Sequence, residues 1–544
     1  MCREAIMHHG IQRSETSEAN YVFPAKAKSI VDLASGKFPG TDLSEASQPF
    51  SAARQETHSL KALISDARFF AGHDIEFDSI AEHSDQASTG QLVVYRIGED
   101  NPSRVVADAL ARGASGILTE QLLPCPLPQC IVDDMEVALS EIAAQQAGHP
   151  DRQLLTIGVI GSAGKTSTSL LISSLLRSSS IRTAYQTDLG ESDGLVQSTA
   201  DAKLPTNREL VQWLLEAKDS QCKATVIELS ETEARHGKYD AIQFDILVIC
   251  GAATGIDDFG PSGLQCSLER VATDGVVIAP ADETGVIREI QNHGLQTLTY
   301  GVRKNADVTA QIFEQSNGMT TLLVTHQDSS TVMETSLCGE AMAANLAAAT
   351  LVGLLLAEPL QKTVEKLSQL RTIPGRGQRL EQYGHATVVI DAGGSPARAV
   401  TAMRTFRDMK AGGRLWCVLA IDSKSEADIL AQYGTQLERF TDHAIVTATN
   451  DSRAGFLAAS HKVLDGVTKC AAFRLVANRH RAIEWAVSEA APNDTLLIIT
   501  GERGLTAYEQ RSDLKRVTEC VERTQQTDHA ACDSNQPKLS IFGS

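Results

Sequence analysis

Gly161, Gly164, Lys165, Thr166 and Ser167 stand together in the run Thr156-Ile157-Gly158-Val159-Ile160-Gly161-Ser162-Ala163-Gly164-Lys165-Thr166-Ser167-Thr168. These residue types bind phosphate. Backbone N–H groups of a glycine turn can converge on an anion, a lysine ammonium neutralises its charge, and a threonine hydroxyl beside the lysine can ligate Mg²⁺. The elements needed to position them are also legible. Thr156 to Ile160 is β-branched and apolar, which predicts a short buried strand. Leu170, Leu171, Ile172, Leu175 and Leu176 fall at helical spacing after the lysine. Strand, glycine turn, Lys-Thr and helix form a phosphate cradle, with the helix N-terminus adding its positive end. Gly161, Ser162, Ala163, Gly164, Lys165, Thr166 and Ser167 are therefore the expected phosphate-binding residues. Lys165 is also a candidate catalytic group.

A second candidate comes from Thr225-Val226-Ile227-Glu228, an apolar strand ending in a carboxylate. A strand-end acid beside a phosphate loop is placed to hold Mg²⁺ together with Thr166. The alternative is a solvated strand end. The loop also departs from the usual Walker pattern, which has glycine five residues before Gly164; Val159 stands there. The bland alternative for the loop is a Gly-Ser turn that happens to precede a lysine.

The shorter form, Gly161-x-x-Gly164-Lys165-Thr166-Ser167, resembles the ATP loop of the Mur ligases, usually G-T-N-G-K-T-[ST]. These enzymes build the peptide stem of peptidoglycan, and the nearest resemblance is to the branch that adds the third amino acid. Glu228 and Ser230 match the Glu and first Ser of the family's M-E-V-S-S-H-A. Asn345, in the run from Leu337 to Ala349, matches the second Asn of L-x-G-x-F-N-x-x-N-x-x-A-A, with Met342 at the first. Ile373-Pro374-Gly375-Arg376-Gly377-Gln378-Arg379 matches V-P-G-R-M-E-R, and Asp391 and Pro396 match V-D-Y-A-H-x-P. The resemblance implies that Asn345, Arg376 and Asp391 contact ATP, with Glu228 catalytic and an Mg²⁺ ligand. It implies substrate contacts at Thr206, Ser230, Asn450 and Arg453. Thr206 lies in a T-T-P-like loop, and the last two belong to a D-N-P-R-like run. Asn207 also reads, by itself, as a helix N-cap.

Several family groups are changed. Thr232 stands for a His, and Ile256 for a metal-binding His. The stretch Gly263 to Arg270 lacks the family's Lys, and the amino-acid-selecting runs after residue 420 are altered. Asp257 and Asp258 flank the lost His position.

The chain of 544 residues exceeds one ordinary core. Strand and helix patterns alternate from Leu60 onward. They predict an α/β protein of three domains: a small N-terminal α/β domain at 59–149, a central P-loop-type parallel-sheet ATPase domain at 150–378, and a C-terminal Rossmann-like domain at 379–525. Residues 1–58 read as a poorly ordered extension and 526–544 as a polar tail. A net charge of −19 argues against nucleic acid or an anionic membrane as partner. No apolar run reaches membrane-span length, and Met1 to Arg13 lacks a signal-peptide core, so a cytoplasmic setting is expected. Eleven cysteines at irregular spacing predict reduced thiols rather than a zinc site.

The resemblance implies an ATP-dependent acid–amino-acid ligase in peptidoglycan precursor synthesis. ATP would phosphorylate a carboxylate, and an amine would displace the phosphate to form an amide. The implied substrates are a nucleotide-linked muramyl peptide and an amino acid, with ATP and Mg²⁺. A catalytically weakened homologue that binds ATP or a partner is the alternative carried by the changed groups. An unrelated P-loop kinase fits the loop spacing and the Pro374-Gly375-Arg376 match less well.

Overall fold

The computed structural model describes residues 57–534, apart from 65–66, 99–100, 196, 199–206, 252–260, 304, 317, 394–395, 410–411, 450–454 and 502–506. Three sheets of mainly parallel strands, each with helices against it, make up an α/β architecture. The first sheet has five strands between residues 68 and 131. Its core strand Leu92–Tyr95 is buried at every position, as expected for a strand covered on both faces.

The central sheet has eleven strands. Its parallel part runs in the spatial order Thr183–Thr187, Ala224–Glu228, Leu155–Gly161, Phe244–Cys250, Val271–Pro280, Gln296–Gly301 and Val308–Ser316. Leu155–Gly161 sits deep inside this sheet and is buried at every position. The near-continuous apolar run in the sequence has this cause: both faces of the strand are covered. An antiparallel meander, Val308–Ser316, Met319–His326 and Ser329–Thr335, extends one edge. Its alternating burial shows one face on the core and the other in solvent.

The third sheet has six strands, with Thr387–Asp391, Thr495–Ile499, Leu415–Ile421 and His443–Ala448 parallel in that order. The helix Glu340–Leu355, rich in small residues, is buried almost all round. Small side chains let it pack into one apolar cluster with Leu171, Leu175, Val388 and Ile498. That cluster also takes in Leu514, Val517 and Val521 of the last helix, so the central and third sheets share a core.

The last helix, Ala507–Ser534, runs nine residues past 525 into the stretch read as a polar tail. That stretch holds no Gly or Pro up to Ser534, and polar residues with good helix propensity continue a helix already anchored on the core. At the other end, His58–Ser59 is already a strand, paired with Glu76–Phe77. Asn207 is the first helical residue of Asn207–Asp219 rather than its cap. Its side chain is buried, and its Nδ2 donates to the Gly237 carbonyl. No helix among the described residues is long and apolar enough to cross a membrane.

Candidate active site

The glycine loop is shaped by what lies against it. Gly161 has φ +136°, and a Cβ there would lie 1.9 Å from the Cys250 carbonyl oxygen of the neighbouring strand. Gly164 has φ +89°, and a Cβ there would lie 2.6 Å from Asn345 Oδ1. A side chain at Gly161 would collide with backbone, and one at Gly164 would be strained by the positive φ and would have to displace the Asn345 amide. Gly164 is the cap of the helix Lys165–Ser178 and makes no side-chain capping bond. The first N–H groups of that helix are thus left to a ligand, as an anion site requires.

The loop opens into a cavity of about 280 Å³ between the central and third sheets. Ser162, Ala163, Gly164, Lys165, Thr166, Ser167, Glu228, Asn345, Arg376 and Asp391 all line it. Gly161 lies beneath, as a support. Elements far apart in sequence are brought together here: a loop, a strand end, a buried helix and the linker between two domains.

Glu228 ends the strand Ala224–Glu228, paired directly with the loop strand at Val159. Its Oε1 accepts a hydrogen bond from Thr166 Oγ1 at 3.0 Å and lies 4.0 Å from Lys165 Nζ. Its Oε2 accepts from the Asp188 backbone N–H at 3.0 Å. Burial first, then the Asp188 charge, pushes the Glu228 carboxyl up to about 7, against the pull of Lys165 and the two hydrogen bonds. Across the cavity, burial and the neighbouring Arg398 hold Arg376 below its ordinary range, opposed by Asp391, Glu228 and Asp188. Asp391 ties the linker down: Oδ2 accepts from the Gly377 N–H at 3.1 Å and Oδ1 from the Gly393 N–H at 2.9 Å.

The donor set fits Mg²⁺. Mg–O distances of about 2.1 Å place neighbouring oxygens of an octahedron about 3.0 Å apart. Thr166 Oγ1 and Glu228 Oε1 already stand at 3.0 Å. Hard oxygens beside a phosphate cradle are what this ion requires, with phosphates and waters completing its shell. No group of three or more His, Cys, Asp or Glu suited to a metal occurs among the described residues.

Ser230 has a different local task. Its side chain caps the short helix Glu231–Arg235 by accepting from the Glu233 N–H. Thr206, Asn450, Arg453, Ile256, Asp257 and Asp258 lie outside the described residues. The sequence reading did not single out Asp188, Arg398, Thr401 or Phe406, which line the same cavity. Arg398, Thr401 and Phe406 sit on the helix Pro396–Met409, whose apolar spacing reads as packing. Asp188 sits at a hairpin tip, where an acidic residue reads as ordinary turn chemistry.

Comparison with known proteins agrees with this layout. Residues 159–256 and 267–353 match the Mur ligase middle domain, and residues 375–503 match the Mur ligase, glutamate ligase domain. A UDP-N-acetylmuramoyl-L-alanyl-D-glutamate--2,6-diaminopimelate ligase of Bacillus cereus is 22% identical over 467 residues, covering 81% of this chain and 92% of the relative. One of the same name from Thermosynechococcus vestitus is 26% identical over 403 residues, covering 72% and 81%. Among solved structures, a ligase of that name superposes with a TM-score of 0.61 at 19% identity, over 86% of this chain and 100% of that one. A MurF ligase from Thermotoga maritima in complex with ADP gives 0.56 at 18% identity, over 83% and 98%.

Proposed function

The chain belongs to the Mur ligase family, and from that premise we propose that it is an ATP-dependent, amide-forming ligase acting on a nucleotide-linked muramyl peptide and an amino acid. One observation carries the reading: the glycine loop, Glu228 with Thr166, and Arg376 converge on one cavity between two domains. The substrate carboxylate would attack the γ-phosphorus of ATP, giving an acyl phosphate and ADP. The amine of the amino acid would then attack the acyl carbon, lose a proton and expel phosphate, leaving the amide.

The residues present serve the first step. The N–H groups of the loop and the helix start bind the phosphate oxygens. Lys165 and Arg376 hold charge that is fixed before the reaction and so need not reorganise during it. Thr166 and Glu228 are the groups that hold Mg²⁺. When bound, that ion supplies positive charge against the γ-phosphate and the incoming carboxylate. The test is ATP hydrolysis by the purified protein, with and without UDP-muramyl peptides and candidate amino acids. Phosphate release that needs both substrates and yields an amide supports the ligase. ATP binding with no turnover under any substrate pair favours the weakened homologue.

A further inference from the structure

Thr183–Thr187 and Gly190–Ser192 form a hairpin whose two-residue tip is Asp188-Leu189. The tip is held by several independent ties. Thr187 Oγ1 donates to the Gly190 carbonyl at 2.9 Å, closing the turn. Leu189 is 6% exposed and packs into the central core. Its carbonyl accepts from Arg511 Nη1 at 3.2 Å. The Asp188 N–H donates to Glu228 Oε2 at 3.0 Å. The tip is therefore held in place beside Glu228.

Asp188 is itself exposed, and it borders the cavity. Asp188 lines it beside Lys165, Thr166 and Glu228. Its backbone N–H meets one Glu228 oxygen while the Thr166 hydroxyl meets the other, so Asp188 stands on the same wall as the Thr166–Glu228 pair. A second carboxylate on the wall that carries Glu228 is unfavourable in the protein alone. A divalent cation shared by the two reverses the sign. Mg²⁺ in nucleotide sites is commonly held by one or two carboxylates plus phosphates.

We propose that Asp188 is the second carboxylate of the cation site, sharing with Glu228 and the Thr166 hydroxyl the Mg²⁺ that accompanies ATP. Its backbone N–H fixes one Glu228 oxygen, and so leaves the other turned toward Thr166. Asp188 thereby acts twice, as a ligand-side charge and as a positioning group. This rests on the ligase reading of the same cavity.

The test uses Mn²⁺ as a spin-active substitute, titrated into the full-length protein saturated with a non-hydrolysable ATP analogue, with free Mn²⁺ read by electron paramagnetic resonance. Asp188→Asn keeps the size, the backbone N–H and one oxygen while removing the charge. It should raise the Mn²⁺ dissociation constant roughly tenfold. Metal-free analogue should bind it as tightly as wild type, or tighter, since a repelling charge is gone. A purely structural role would weaken both. Glu228→Gln should abolish analogue-dependent Mn²⁺ binding. Equal Mn²⁺ affinity in wild type and Asp188→Asn overturns the assignment of Asp188 while leaving the ligase reading intact. Wild type that takes up no Mn²⁺ with the analogue overturns the cation site altogether, and the ligase reading with it.

Discussion

Arg511 Nη1 donates a hydrogen bond to the Leu189 carbonyl at 3.2 Å, across 322 residues of chain. The contact joins the last helix to the hairpin that carries Asp188. On the same helix Leu514 packs on the linker, where a Cβ at Gly375 would lie 2.7 Å from Leu514 Cδ1. One helix thus touches the linker, the third domain's core and the cation side of the cavity.

Domain closure should depend on that contact. The Pro374-Gly375-Arg376 stretch is the covalent link between the ATP domain and the third domain, and closing enzymes move about such links. Small-angle scattering of wild type with a non-hydrolysable ATP analogue should show a smaller radius of gyration than without it. In Arg511→Ala the difference should shrink. A radius unchanged at saturating ligand in wild type would count against closure.

Loss of the loop lysine should be felt in binding. Lys165→Ala removes a charge-assisted contact worth about 1.5–3 kcal/mol. Calorimetry should therefore show Mg·ATP affinity reduced about tenfold or more. Equal affinity would remove the premise that Gly161 to Ser167 binds the nucleotide.

Stability should depend on pH through Asp245. Burial pushes its carboxyl up from 3.8 to about 7, helped by the charges of Asp274 and Asp151 and opposed by the hydrogen bond from the Thr156 N–H. A carboxyl raised in the folded state keeps a proton that the unfolded chain has released. Its contribution is therefore complete below about pH 4 and is lost as pH rises toward 7. The shift is worth at most about 4 kcal/mol, and less where solvent reaches the group. Thermal melts from pH 4 to 8 should show Asp245→Asn gaining on wild type as pH rises. Parallel curves would refute this.

The Arg479–Asp513 pair should be costly to break. Arg479 donates through Nη1 at 3.1 Å and Nη2 at 2.7 Å to the two Asp513 oxygens, and both side chains are only 7% exposed. It also donates to the Thr449 carbonyl at 2.9 Å. Asp513→Ala leaves a buried guanidinium without its counter-charge, which typically costs about 3–5 kcal/mol. Urea melts monitoring the third domain should register that loss. A change below about 1 kcal/mol would show that the pair contributes little.

Much of this was readable before any coordinates. The loop and Glu228 are legible because their chemistry sits at element junctions, whereas Asn345, Arg376 and Asp391 stand out only through the resemblance of their short runs to the Mur ligase motifs. Parallel strands such as Phe244–Cys250 are legible because burial on both faces makes them apolar at every position but Asp245. The antiparallel meander from Val308 to Thr335 was not, since half its residues face solvent and its alternation is diluted by Thr and Ser. The helix Phe456–Asp465 carries no capping signal in the sequence, because its cap is Gly455. Asp188 was invisible for another reason. Its role comes from a hairpin placed next to Glu228 by the pairing of Thr183–Thr187 with Ala224–Glu228, and no local pattern encodes that neighbour.

The supports beneath the glycine loop bear on the heat and speed of binding. Gly161 rests on the Cys250 carbonyl and Gly164 on Asn345, so the backbone that meets the phosphates is ordered when the chain folds. The entropy of arranging it is then spent once, in folding, and is not charged again to each nucleotide. Mutations that loosen either support, without touching a phosphate contact, should show first as a less favourable entropy of association and a slower on-rate. The enthalpy of the phosphate contacts should stay nearly unchanged.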